Sequence, residues 1–136
     1  MHRVLQPAGW DQPKGYANGV VARGTVIAVA GQVGWTARSQ IVSEDFVAQA
    51  RQALANIVAI LAEAGAGPQH IVRMTWYVTD KREYLSAGKG LGAAYRELMA
   101  GPDGKVNYPA MSAVQVAGLV EDGAKLEIEA TAVLPD

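Results

Sequence analysis

Two stretches of this chain are apolar on both faces, and that pattern constrains the fold more than any other feature. In Thr25-Val26-Ile27-Ala28-Val29-Ala30 every residue after the first is apolar, and Met111 to Val120 is also apolar on both faces. A strand of this kind needs cover above and below, whereas an alternating strand needs cover on one side only. The rest of the chain offers two helical stripes, and two helices cover one face of a sheet. The second face is then most simply buried by another copy of the chain, so the pattern predicts a homo-oligomer.

The helical stripes are read from spacing. Val47, Ala50, Leu54, Ile57, Val58 and Leu61 recur at helical intervals. Ser43 is placed as the N-cap, with Glu44 and Asp45 in the first turn, and Gly65, Gly67 and Pro68 end the helix. A second helix is placed over Arg82 to Met99, with Tyr84, Leu91, Tyr95 and Leu98 along one stripe and three glycines weakening it. Strands are expected at Arg3-Gln6, Gly19-Ala22, Thr25-Ala30, Ile71-Val78, Ser112-Ala117 and Lys125-Val133. The order β-β-β-α-β-α-β-β, without repeats or a boundary, predicts one α+β domain over residues 1–136. Its mixed six-stranded sheet should carry both helices on one face.

Composition then excludes several chemistries. The 136 residues hold 12 basic and 13 acidic side chains, for a net charge of −1 and a pI near 6.1, so no basic field gathers phosphates and nucleic acid is not an expected partner. No cysteine is present, which removes disulfides, thiolate metal sites and thiol nucleophiles. With only His2 and His70, neither a histidine metal site nor a Ser-His triad is expected. No run approaches ~18 apolar residues, and the N-terminus lacks a signal-type apolar core. No metal, cofactor or membrane partner is therefore expected, and the location is read as cytoplasmic.

The remaining motifs carry plain readings. Gly88-Lys89-Gly90-Leu91-Gly92 resembles a phosphate loop but falls inside a helical stripe, so close helix packing is the expected role. Alternation puts Glu127 and Glu129 on one face together with Lys125, either as an acid/base pair or as a solvated strand. His70 is read as a capping or a solvated side chain at a loop-to-strand junction, not a catalytic one. Arg38 and Arg73 could bind an anion but more commonly serve as surface charges. Trp10, Trp35 and Trp76 are read as apolar anchors.

A set of ordered motifs then points further. Tyr16 and Gly19, Val29-Ala30-Gly31-Gln32, Ala50-Arg51-Gln52-Ala53-Leu54-Ala55-Asn56-Ile57, Ile71 to Asp80, Tyr108-Pro109-Ala110, and Leu126-Glu127-Ile128-Glu129-Ala130 together resemble the reactive-intermediate deaminase family (RidA/YjgF, once labelled endoribonuclease L-PSP). The match runs in order over nearly the whole chain. It implies a chorismate-mutase-like α+β fold, a homotrimer with ligand clefts between neighbouring subunits, and cofactor-free hydrolysis of 2-imino or 2-enamino acids to 2-keto acids and ammonia.

Carried over position by position, the resemblance implies that Glu127 positions the attacking water. Tyr16 would close over the cleft and Gly31 would offer a backbone contact. Ala113 stands where the family often has cysteine, Gly92 where it often has asparagine, and Trp35 could contact substrate. The main departure is Met111: the family motif is Pro-Ala-Arg-Ser, and this chain reads Pro109-Ala110-Met111-Ser112. A thioether cannot pair with a substrate carboxylate. A larger, less anionic imine, enamine or related metabolite is therefore expected in place of the usual 2-imino acid, with Arg38 or Arg23 as candidate substitutes for the lost cation. The alternative is a non-catalytic small-molecule-binding or interaction protein on the same trimeric scaffold.

Overall fold

The apolar stripe that begins at Val47 forms helix α1 (Phe46–Ala62), in a computed structural model that describes residues 2–136. Its N-cap is Asp45, not Ser43. The Asp45 carboxylate accepts from the Ala48 amide at 2.9 Å, while the Ser43 hydroxyl accepts from the Asp45 amide at 2.9 Å. Both side chains suit a cap, but burial of Phe46 fixes where the first turn begins, so Ser43 organises the turn ahead of it. Glu44 and Asp45 accordingly precede the first turn. The helix ends in a Schellman motif, with Gly65 at φ +73° and the Ala66 amide reaching back to the Leu61 carbonyl.

Six strands form: β1 (Arg3–Leu5), β2 (Gly19–Val21), β3 (Thr25–Gln32), β4 (Ile71–Val78), β5 (Ala110–Gln115) and β6 (Leu126–Leu134). The expected six-stranded sheet is corrected here. Four strands join in the order β3-β6-β4-β5, with β4 and β5 parallel and the other pairs antiparallel. β1 and β2 make a separate antiparallel ribbon. Ahead of β2, Ala17 makes an isolated bridge to Ala110 of β5, and the Pro- and Gly-rich arm between β1 and β2 offers few residues that can continue a ladder.

The second expected helix is also corrected. It breaks at Ala87 into α2 (Lys81–Ser86) and α3 (Gly88–Leu98), where ψ of Ala87 rises to −1° just ahead of the glycines. Low helix propensity at Gly88 and Gly90 makes the break cheap. Gly90 then lets α3 approach α1, since a Cβ there would sit 3.2 Å from Val47 Cγ2. The expected close helix packing thus holds at Gly90, whereas a Cβ at Gly88 would meet nothing within 4 Å and one at Gly92 would meet Arg96 of the same helix.

The core lies between the helices and one face of the sheet. Leu54, Ile57 and Leu61 of α1 meet Met74, Trp76 and Val78 of β4 and Leu126 and Ile128 of β6. A register shift between Ile71 and Arg73 turns Ile71 to this side as well. Buried Gln49 ties the layers together. Its amide donates to the Ser43 and Gly123 carbonyls and accepts from the Lys125 amide, at 2.9 to 3.0 Å. The other sheet face has no helix on it, and there Val26 is 66% exposed. Among the described residues no helix is long and apolar enough to cross a membrane.

Candidate functional site

Register decides on which side of the sheet each candidate stands. Residues opposite one another in a ladder point the same way. Met111 pairs with Met74 and Ala113 with Trp76, so both lie on the helix side. Glu127 pairs with Tyr77 and Glu129 with Thr75, so both carboxylates lie on the open side. The residues singled out by the sequence therefore form two groups on opposite faces of one sheet.

On the open side the two glutamates differ. The Tyr77 hydroxyl donates to Glu129 Oε1 at 2.6 Å, and this bond, followed by burial and the nearby carboxylates, raises the Tyr77 pKa. Glu127 has no hydrogen-bond partner among the described residues. Its side chain lies across Gly31, where a Cβ would come within 2.7 Å of the Glu127 carboxyl carbon. Gly31 sits in a bulge: the register shifts between Val29 and Gln32, leaving Ala30 and Gly31 out of the ladder. The bulge extends β3 two residues beyond the expected end and brings backbone beside a free carboxylate. A shallow groove of about 450 Å³, bordered by Ala28, Ala30, Arg73, Thr75, Glu129 and Thr131, occupies the same face.

Lys125 does not share this face, contrary to the alternation expected. It precedes β6, and its ammonium pairs with Glu83 of α2 at 2.9 Å, a contact that raises its pKa. The strand pattern simply does not reach it.

On the helix side, two adjoining cavities of about 410 and 240 Å³ share Gly15, Tyr84 and Met111. Tyr16 and Ala113 border the smaller one, and Gly92 the larger. Tyr16, Gly92, Met111 and Ala113 are thus brought to one cleft under α3. Its walls are aromatic: Tyr95 and Tyr108 stack at 5.3 Å and 15°, and Trp76, 2% exposed, leaves its indole Nε1 without a partner. Burial, with Tyr108 alongside, pushes the Tyr95 hydroxyl well above its usual value while it donates to the Asn107 carbonyl at 2.6 Å.

Trp35 lies elsewhere, in a third cleft with Gln32, Thr36 and Asn56, because the loop after β3 turns back along α1. Neither Arg23 nor Arg38 borders the Met111 cleft; Arg96 does, and no reading of the sequence had placed it there. The signal available was its spacing, one helical turn after Gly92. Of the two roles open to His70, the structure shows the cap, with Nδ1 accepting from the Gly67 amide at 2.9 Å. No group of three or more His, Cys, Asp or Glu able to hold a metal occurs among the described residues.

Known proteins resemble this chain over most of its length. The family model for endoribonuclease L-PSP matches residues 10–134. The chain is 36% identical over 110 residues to a 2-iminobutanoate/2-iminopropanoate deaminase of Salmonella typhimurium, covering 81% of this chain and 80% of that one. It is 32% identical over 135 residues to a RutC family protein of Synechocystis, covering 98% and 97%. Among solved structures, a Rid family protein of unknown function from Yersinia pestis superposes with a TM-score of 0.80 at 31% identity, covering 98% of each chain. Escherichia coli TdcF, solved with bound serine, superposes with a TM-score of 0.68 at 30% identity, covering 97% of this chain and 98% of that one. With a family match over nearly its full length and an α+β fold in common with these structures, the chain belongs to the endoribonuclease L-PSP family, the RidA/YjgF proteins.

Proposed function

We propose that this chain is a cofactor-free hydrolase of C=N bonds, deaminating an imine, enamine or related small metabolite at clefts between the subunits of a homotrimer. The observation that carries this reading is the state of Glu127: it is the unpartnered carboxylate beside the Gly31 bulge, whereas Glu129 is engaged by Tyr77. Relatives named as 2-iminobutanoate/2-iminopropanoate deaminases support the reaction class.

The chemistry needs a water, a base and a way to hold the substrate. Glu127 takes a proton from water as its oxygen adds to the protonated imine carbon. The resulting carbinolamine receives that proton on nitrogen; Glu127 then takes the hydroxyl proton as the C–N bond breaks, and passes it to the departing ammonia, leaving a carbonyl and a free carboxylate. Imine plus water thus becomes carbonyl plus ammonia. The Gly31 backbone helps orient the reacting groups.

Assembly completes the site. Glu127 and Gly31 stand on one face of the sheet, and Tyr16, Gly92, Met111 and Ala113 on the other. One protomer therefore cannot bring both groups to the same substrate, but the open face of one copy can meet the cleft of a neighbour. The accessible surface of 7992 Å² supports association, since a 14.3 kDa monomer typically exposes about 6,800 Å². Met111 in place of the family's arginine makes this part of the cleft apolar, which directs it away from the small 2-imino acid.

The test is an imine-loss assay. An amino-acid oxidase generates 2-imino acids, semicarbazide traps what survives, and wild type, Glu127→Gln and Met111→Arg are compared with mass measured by light scattering. Wild type should speed imine loss, and Glu127→Gln should cut that rate by about 100-fold or more without changing the mass. A rate that survives Glu127→Gln excludes glutamate-assisted water attack. Inactivity of both wild type and Met111→Arg favours the non-catalytic binding protein, and a stable monomer at micromolar concentration overturns the assembly.

A further inference from the structure

Two cations border the Met111 cleft, Lys14 at its Tyr16 end and Arg96 on α3. Arg96 projects from α3 one turn after Gly92, and its guanidinium folds back over that glycine: a Cβ at position 92 would lie 3.1 Å from Nη1 and 4.0 Å from Nη2. The missing side chain at Gly92 is what gives the guanidinium its seat at the cleft wall. Arg96 has no ion pair and no hydrogen bond among the described residues, in contrast to Arg51, which pairs with Glu97 on the same helix. No carboxylate borders the cleft. A planar, solvent-exposed group with five donors therefore stands at the wall of a cavity that no carboxylate of the described residues borders.

The rest of the cavity is apolar and wide. Leu91, Met111 and the Trp76 ring border it, and the Tyr95–Tyr108 stack forms a flat wall. Its volume of about 410 Å³ exceeds what a two- or three-carbon side group would fill. With the guanidinium on α3, the Met111 end of the cleft is left to apolar contact.

We infer that Arg96 is the carboxylate-binding residue of this cleft, and that the substrate is a 2-imino acid carrying a bulky apolar or aromatic side group. The substrate is then as anionic as a short 2-imino acid and differs from it in bulk. The choice of imine rests on the deaminase reading above; the choice of carboxylate and of a bulky side group rests on the cleft alone.

The experiment uses stable keto acids, so that binding is measured apart from turnover. Phenylpyruvate, 2-oxobutanoate and the neutral ketone phenylacetone are titrated calorimetrically into the intact protein as wild type, Arg96→Ala, Arg96→Lys and Lys14→Ala. Lys14 borders the Tyr16 end of the cleft and serves as the competing cation. Wild type should bind phenylpyruvate at least tenfold more tightly than either comparator. Arg96→Ala should weaken phenylpyruvate ten- to a hundredfold while leaving phenylacetone unchanged, Arg96→Lys should recover part of the loss, and Lys14→Ala should change it less than threefold.

Equal phenylpyruvate binding in wild type and Arg96→Ala overturns the assignment, as does a loss seen only in Lys14→Ala. Tighter binding of 2-oxobutanoate than of phenylpyruvate overturns the bulky side group. The imine-loss assay on the same variants separates the two proposals. Arg96-dependent binding with no imine turnover removes the deaminase reading and keeps the cation. Glu127-dependent turnover indifferent to Arg96→Ala does the reverse.

Discussion

The two faces of the four-stranded sheet are built from the same strands and end in opposite states. On the helix side, β4 and β6 present Met74, Trp76, Val78, Leu126 and Ile128, each 2% exposed or less. On the other side the same strands present Arg73, Tyr77, Glu127 and Glu129, with one hydrogen bond, Tyr77 to Glu129, between them. Packing within the protomer finishes the first face. The second keeps a carboxylate unpaired, an arrangement that burial would penalise without a partner. Stability and the proposed chemistry are thus separated by the thickness of one backbone, and adjacent residues of a strand serve different ends.

The largest expected effect falls on the finished face. Gln49→Ala leaves the Ser43 and Gly123 carbonyls and the Lys125 amide without their side-chain partner and opens a gap where a fully buried side chain stood. It should cost about 3 kcal/mol or more. Urea unfolding at fixed protein concentration should show a lower midpoint, and an unchanged midpoint would mean that water replaces all three bonds at no loss.

A smaller and different effect is expected on the open face. Gly31→Ala drives a Cβ into the Glu127 carboxylate, which must swing away. Imine turnover should fall about tenfold, equivalent to about 1.4 kcal/mol of barrier, with the unfolding midpoint almost unmoved. Loss of stability in place of activity would mean that the two faces are not separable in this way.

The smallest effect concerns the cleft wall. Burial raises the Tyr95 pKa in the folded chain, above the value of about 10 that it takes when unfolded. The unfolded chain therefore gives up this proton first, and stability falls as pH rises from about 10 toward the folded value. Tyr95→Phe should remove this part of the alkaline loss and cost about 1 kcal/mol at pH 7, through the bond to the Asn107 carbonyl. Parallel stability–pH curves for the two proteins above pH 10 would show that Tyr95 does not titrate with unfolding.

Elements set by local periodicity were legible in the sequence. The α1 stripe, β4 from Ile71 to Val78, and the strand containing Glu127 and Glu129 all fall where spacing puts them. So does the shared face of the two glutamates, because alternation is fixed by backbone geometry alone. What was misplaced depends on partners remote in sequence. Asp45 caps α1 in place of Ser43, Lys125 turns to Glu83, and β1 and β2 pair apart from the main sheet. Each outcome is a competition between similar local options that only the assembled layers resolve.

The candidate site divides in the same way. The sequence by itself determined the family, the α+β order and the residue types available, with Glu127 among them and no arginine at position 111. Tertiary structure alone decided which residues meet: it set Glu127 and Met111 on opposite faces, leaned Glu127 over Gly31, removed Trp35 to another cleft and brought Arg96 over Gly92. The reason is physical. A residue's chemistry is local, but the direction it faces depends on ladder register and helix packing, and these are settled by contacts between segments far apart in the chain.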